Sequence, residues 1–321
     1  MRKLDLALQI LVASFIGLQT GCITVNLLEP SGPVQEVQLS GTGDGKVLLL
    51  DFSGVISSQD KDGFVSQPNM LATFKEELTR ASKDEKVKAV VVRINSPGGT
   101  VTASDIMYHE LKEFKNKKKI PVIASMMDIA ASGGYYLAMA SDAILVHPST
   151  VTGNIGVIML TVNAKGLLEK VGVEASAITS GPRKDMGSPF RSMTPEERAI
   201  FQSVIDAFYQ RFLYVVQAGR PNLSAEQIKK LADGRIYSGE QAKAAGLVDD
   251  IGYLDDALEL AKKKAGLTEA RIVTYGRRGE YQNNIYSRFF ATGSGLTSIA
   301  NLDLLSMVRG GTPQFMYLWL P

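Results

Sequence analysis

The chain has 321 residues, 45% apolar and 21% charged, enough to bury a full core in one large domain or two smaller ones. A formal net charge of +2 gives no pull toward nucleic acid or a strongly acidic partner. One cysteine excludes a disulfide framework and a multi-thiolate metal site, and two histidines leave little room for imidazole chemistry.

At the start of the chain, Met1, Arg2 and Lys3 precede a mostly apolar stretch over 4–18, followed by Gln19, Thr20, Gly21 and Cys22. A basic start, an apolar middle and small residues before a break describe an export signal over 1–22. Cys22 resembles the acylation site of bacterial lipoproteins, although Gln19 stands where such proteins usually carry an aliphatic residue. The alternative is an uncleaved anchor, at the short edge for crossing roughly 30 Å of hydrocarbon. Either way, the rest of the chain is expected on the extracytoplasmic side, tethered to a membrane. Residues 23–45 carry Pro30, Gly32, Pro33, Gly41, Gly43 and Gly45 and read as a linker, or a short strand and then a linker.

From Lys46 onward the pattern becomes regular. Apolar runs of strand length lie at 47–52, 87–94, 120–126 and 143–146, and the second holds Val90, Val91 and Val92 in a row. Helical spacing occupies 71–81, with Leu71, Phe74 and Leu78, and 103–114; a helix of small residues is predicted over 133–140. Strands apolar on both faces, alternating with helices, predict an α/β fold with a mainly parallel sheet covered on both sides. Next come a short helix at Leu167 and Leu168, a strand over 173–179 and a loop over 180–193. Thr194, Pro195, Glu196 and Glu197 form a strong helix start, and that helix runs to about Ala218. Further helices are predicted over 224–232, 239–245 and 254–264. Residues 269–321 show no clear period, and the apolar, aromatic run Phe315, Met316, Tyr317, Leu318, Trp319, Leu320 is expected to dock on something.

Two glycine loops concentrate the chemistry. Asn95, Ser96, Pro97, Gly98, Gly99 and Thr100 follow a predicted buried strand and precede a helix, so their N–H groups can bind an oxyanion. Ala131, Ser132, Gly133 and Gly134 follow another strand, where α/β enzymes place a nucleophile. A carbonyl between the loops meets the Ser132 hydroxyl on one side, and on the other the N–H of Gly133 with that of Gly98 or Gly99. That arrangement suits acyl transfer. The serine needs a base. His109 sits among helix residues and His147 precedes Pro148, and both read as structural. A lysine made neutral by burial is the other option, and Lys165, Lys170 and Lys184 are all candidates on the residues alone. Lys184 lies in a Gly/Pro loop, where function is more often found than on a helix face.

Asn95-Ser96-Pro97-Gly98-Gly99, then Ala131-Ser132-Gly133-Gly134-Tyr135-Tyr136-Leu137-Ala138, then Thr152-Gly153-Asn154-Ile155-Gly156-Val157, together resemble the signal peptide peptidase A family. The resemblance covers about 46–264. It implies a Clp/crotonase-type fold with a helical C-terminal portion, a peptidase domain over 46–265 and a C-terminal extension over 266–321. It implies a membrane-associated serine endopeptidase of the bacterial cell envelope, with Ser132 as nucleophile, Lys184 as general base and Gly99 and Gly133 as the oxyanion hole. No cofactor, metal or nucleic acid enters. The family commonly has serine where this chain has Asn154, whose side chain can orient the lysine in its place. In the family, serine and lysine come from neighbouring catalytic units, so a chain with one unit is expected to form a homo-oligomer. The implied substrates are remnant signal peptides or other short apolar peptides. A crotonase-type acyl-CoA enzyme and a non-catalytic membrane scaffold, with Ser132 as a mere helix cap, are the rival readings.

Overall fold

The computed structural model describes residues 33–58, 69–277, 283–287 and 314–320. The export signal or anchor over 1–22, with Cys22, lies outside them. The apolar runs form the centre of one large sheet: β1 (Gln35–Ser40), β2 (Lys46–Ser53), β3 (Val87–Ser96), β5 (Val122–Ala131), β6 (Ala143–Val146), β10 (Asp250–Ile251) and β11 (Arg271–Gly276). Their spatial order is β1-β11-β2-β3-β5-β6-β10, parallel throughout except for β1 against β11. A short strand β7 (Val151–Gly153) extends the far end of β5 and pairs in turn with β9 (Ile236–Ser238).

Central strands are apolar on both faces because both faces are covered. One side packs on α1 (Met70–Lys83), α2 (Val101–Lys118), α3 (Gly133–Ala138) and α5 (Pro195–Gly219), joining Leu48, Leu50, Val90, Val92 and Phe212 in the main core. The other side packs Val47, Leu49, Val91 and Ile123 under Leu254, Ala257, Leu258 and Ala261 of α8 (Leu254–Lys264). Full burial of a Leu or Val side chain contributes about 1.5–3 kcal/mol, so these faces supply the dominant stabilising term. The predicted start of α5 is borne out: the Thr194 hydroxyl accepts from the Glu197 N–H at 3.2 Å, and the Glu197 carboxylate accepts from the Thr194 N–H at 2.9 Å.

Three expectations need correction. The sheet extends past the expected 46–265 at both ends: β11 lies within the C-terminal extension, and β1 is the short strand that one of the two readings of 23–45 allowed. β1 carries polar residues such as Gln35, Glu36 and Gln38 because an edge strand needs few apolar side chains. The strand predicted over 173–179 does not form; that segment is irregular and exposed, beyond the short helix α4 (Lys165–Lys170). Its β-branched residues have no neighbouring strand here, and propensity alone does not make a strand. Gly98–Thr100, read as a loop, is strand β4 of a second, three-stranded sheet. There the terminal run forms β12 (Phe315–Leu318), antiparallel to both β4 and β8 (Ile158–Met159).

Candidate active site

The carboxyl ends of β3 and β5 bring the two glycine loops together. β5 pairs with β6 through Ile123 to Met126 and with β7 through Ile129 to Ala131, and it delivers Ser132 to the turn before α3. Ser132 has φ 52° and ψ −114°, outside the regions that L-residues favour. Such a conformation costs on the order of 1–3 kcal/mol and persists where surrounding bonds enforce it. Here the Ser132 N–H donates to the Gly153 carbonyl at 2.8 Å, and the Tyr136 N–H donates to the Ser132 carbonyl at 2.8 Å. The residue is 0% exposed, and its Oγ has no hydrogen-bond partner among the described residues. A buried hydroxyl without a partner is costly, so this one is kept for something other than stability.

The Pro97 loop is held against this turn. The Ser96 hydroxyl donates to the Gly54 carbonyl at 2.6 Å and accepts from the Gly98 N–H at 3.1 Å. The Gly98 carbonyl accepts from the Ile56 N–H at 2.8 Å, and the Thr100 N–H donates to the Ile56 carbonyl at 2.9 Å. Because peptide groups alternate along a strand, the Gly99 N–H points the other way, toward β12, where Gly99 pairs with Tyr317. The structure thus separates two glycines that the residues alone could not: the Gly98 N–H is engaged by Ser96, whereas that of Gly99 points toward β12.

These positions require glycine. Gly98 has φ 102°, and a Cβ there would stand 1.9 Å from the Tyr317 carbonyl oxygen and 2.7 Å from the Gly133 nitrogen. A Cβ on Gly99 would stand 1.9 Å from the Ile56 oxygen, and one on Gly133 would stand 2.5 Å from Ser104 Oγ and 3.2 Å from the Gly99 nitrogen. The backbones of Gly98, Gly99 and Gly133 therefore approach one another closely beside the Ser132 turn.

The other expected participants are spread out. Lys184 is exposed, in a turn whose N–H groups at Lys184, Met186 and Ser188 donate to the carbonyls of Gly181, Arg183 and Asp185. It makes no hydrogen bond to Ser132 within the chain. Lys165 and Lys170 are also exposed, and Lys165 lies 3.7 Å from Glu169. Asn154, at φ 49°, donates its side-chain amide to the Gly234 carbonyl at 2.6 Å. His109 is exposed on α2; His147 lies 2.8 Å from the Ser149 hydroxyl and meets the Tyr253 ring edge-on. Neither imidazole bonds Ser132. Among the described residues no group of histidine, cysteine and carboxylate side chains is arranged to hold a metal.

Two features escaped the sequence. Arg191 bonds both Asp185, at 2.6 and 2.8 Å, and Glu197, tying the lysine loop to the start of α5. The guanidinium hydrogen bonds, with the Thr194 N–H second, hold the Glu197 carboxyl down at about 2, and Arg191 likewise lowers that of Asp185. The acid–base spacing over 185–197 was the available signal. The other feature is β12 itself, lodged beside Gly98 and Gly99; the terminal aromatic run was legible, but its destination was not.

A parallel α/β sheet with a strained, buried serine between two glycine turns defines a serine peptidase of the Clp protease-like fold. Comparison with known proteins agrees. The model for peptidase family S49 matches residues 114–268, and that for Clp protease matches 65–151. A putative signal peptide peptidase of Enterococcus faecium is 39% identical over 242 residues, covering 75% of this chain and 70% of that protein. A putative protease of Synechocystis is 46% identical over 227 residues, covering 71% and 77%. Protease 4 of Salmonella typhi is 37% identical over 203 residues, 63% of this chain and 32% of that longer protein. Among solved structures, a membrane-bound stomatin-specific protease superimposes with a TM-score of 0.44 at 19% identity, covering 70% of this chain and 81% of that one. The chain belongs to the S49 family of signal peptide peptidase A-type serine peptidases. Membership in a peptidase family sets aside the acyl-CoA enzyme and the scaffold.

Proposed function

We propose that this chain is a membrane-tethered endopeptidase in which Ser132 is the nucleophile and Lys184 of a neighbouring copy is the general base. The observation that carries the reading is the Ser132 hydroxyl, 0% exposed and without a partner among the described residues, beside the backbones of Gly99 and Gly133. The uncharged Lys184 amine takes the hydroxyl proton as Oγ attacks the peptide carbonyl. The N–H groups of Gly99 and Gly133 hold the resulting oxyanion. Its collapse breaks the C–N bond, Lys184 returns the proton to the leaving amine, and water releases the acyl group.

An exposed lysine with no bond to its own Ser132 supports a base donated between copies. So does the apolar surface around it: Leu167, Val171, Val173, Ile178 and Phe190 all stand exposed on the segment that carries the lysine. A second copy that covers this surface removes it from water and brings Lys184 to a dry cleft. Asn154 orients the amine through its side-chain oxygen. Short apolar peptides, remnant signal peptides among them, are the substrates of this reading, which the naming of one relative as a putative signal peptide peptidase supports. Tethering at the envelope, through a lipid on Cys22 or an anchor over 1–22, completes the reading; among the described residues no helix is long and apolar enough to cross a membrane. Treatment with a serine-directed acylating probe, followed by peptide mapping, is expected to modify Ser132. Modification of another serine, or none, overturns the assignment.

A further inference from the structure

Strand β5 reaches Ser132 by way of an interruption. Against the parallel strand β3, Met126 stands opposite Ile94 and Ala130 opposite Ser96, so Met127, Asp128 and Ile129 together face the single residue Asn95. Bulges are uncommon between parallel strands, and beside active sites they re-aim a side chain. At the same point β5 exchanges its other neighbour: Met126 is opposite Val146 of β6, whereas Ile129 is opposite Val151 of β7. The surplus is two residues, so the faces of β5 are preserved and only its advance along β3 changes, by about 6–7 Å. A regular register would carry Ser132 and Gly133 that far past the Pro97 loop.

An interrupted ladder leaves peptide groups without main-chain partners, and neighbouring side chains supply them here. The Ile129 N–H donates to Asn95 Oδ1 at 3.1 Å. Because the Ile129 group is a donor, the side-chain oxygen and not the amide nitrogen must face it. On the other side of the strand the Thr150 hydroxyl meets the carbonyls of Met126, at 3.1 Å, and of Met127, while the His147 N–H donates to the Met126 carbonyl at 3.0 Å. The Thr152 hydroxyl donates to the Ala130 carbonyl at 2.6 Å. Thr150 and Thr152 are buried and Asn95 is half-buried. The main chain of Asn95 is itself fixed, its carbonyl accepting from the Gly54 N–H at 2.9 Å. Ile129 to Ala131 then pair with β7, and the Ser132 N–H continues that pairing to the Gly153 carbonyl. The Asn95 bond and the strained φ of Ser132 thus belong to one continuous run of main chain.

We infer that Asn95 is a positioning residue for the nucleophile: its side-chain oxygen fixes the β5 bulge, with Thr150 on the far side, and so sets where Ser132 stands against Gly98 and Gly99. The inference rests on Ser132 being the nucleophile of a peptidase, and it adds to that reading the residues that place it. Asn95 acts through Ile129, so its loss reaches the reaction only by moving the turn.

The test compares the full-length chain with its Asn95→Leu and Asn95→Asp variants. Leucine has nearly the shape of asparagine without an acceptor, whereas aspartate keeps an oxygen in the same place. Asn95→Leu is expected to lower kcat, and the rate at which the serine-directed probe acylates Ser132, about 10²-fold with KM little changed, because a misplacement of about 1 Å is enough for such a loss. Hydrogen exchange read by mass spectrometry is expected to quicken over 127–131 in that variant and to stay as in the parent over the central strands. Asn95→Asp is expected to return both readings to those of the parent. Thr150→Val and Thr150→Ser repeat the comparison from the other side of the strand, should Asn95→Leu fail to fold: the valine variant loses the hydroxyl at nearly constant shape and is expected to slow acylation, and the serine variant keeps it and is expected to match the parent. Faster exchange over 127–131 with acylation of Ser132 unchanged overturns the inference, and so does an equal loss of activity in the Leu and Asp variants with exchange unchanged. No acylation of Ser132 in any protein, with the exchange contrast intact, removes Ser132 as nucleophile and upholds Asn95 as the residue that fixes its turn.

Discussion

The turn that carries Ser132 is buried and locked by main-chain bonds to β7 and α3, whereas the loop that carries Lys184 stands in solvent, tied to the body of the chain through Arg191. The first region can store a strained φ because its neighbours leave no alternative. The second has its apolar side chains facing outward, an arrangement that makes sense when another surface completes it. On the proposed function, nucleophile and base would come from two kinds of structure, one finished within the protomer and one finished by assembly.

The largest expected effect breaks the comparison at both ends. Ser132→Ala and Lys184→Ala are each expected to lower peptide cleavage about 10⁴-fold or more, without loss of the folded state. If the base crosses between copies, mixing the two inactive proteins returns part of the activity, because some interfaces then join an intact serine to an intact lysine. Mixtures that remain inactive while co-assembling would place both groups in one protomer.

Gly99→Ala comes next. Its Cβ would overlap the Ile56 oxygen at 1.9 Å, so β4 must shift and the Gly99 N–H leaves its position. Loss of one such donor costs about 10²–10³ in kcat, and steady-state kinetics on an apolar peptide reads it. Gly98→Ala is expected to be at least as severe, since the residue also sits at φ 102°.

The exposed region gives a cleaner separation of folding from assembly. If copies assemble through this surface as proposed, Val173→Asp together with Ile178→Asp is expected to dissociate them in sedimentation and abolish cleavage. Both positions are exposed, so the protomer's own stability should change by no more than about 0.5 kcal/mol per site. A variant that stays assembled and active would remove this surface from the interface.

Arg191→Ala is the finest probe. It leaves Asp185 and Glu197 without their shared cation and frees the loop, so kcat should fall with the folded body unchanged. Arg191→Lys, which cannot span both carboxylates in the same fork, should restore activity only in part. The pH dependence has a definite sign. Arg191 lowers the carboxyl of Glu197 to about 2, so the tie is at full strength above the ordinary carboxylate range. It weakens as pH falls below that range and is lost as pH passes about 2. Carboxyl chemical shifts of Glu197 followed through acid titration would read it, and a midpoint near 4.5 would mean the tie does not form in solution.

Much of this was open to reading from residues in order. Val90, Val91 and Val92 announced a strand buried on both faces, and Thr194 with Glu197 announced the start of α5, because both patterns act over a few neighbouring positions. Ser132 stood out because a strand, a hydroxyl and two glycines follow one another. What failed were elements whose partners lie far off in the chain. β1 has so few apolar residues that it read only as one of two options, and it exists because β11 offers an edge more than two hundred residues away. The segment over 173–179 has β-branched residues but no strand beside it.

Local order in the sequence therefore determined the central strands, the flanking helices and the serine between glycines, since hydrogen bonding and apolar periodicity within a segment leave their mark on its own residues. Only the tertiary structure decided that the Gly98 N–H is taken by Ser96 while Gly99 pairs with β12, that Lys184 stands clear of its own Ser132, and that Tyr317 lies beside Gly133. Each depends on which distant backbone occupies the adjoining edge, and no spacing along one segment encodes that.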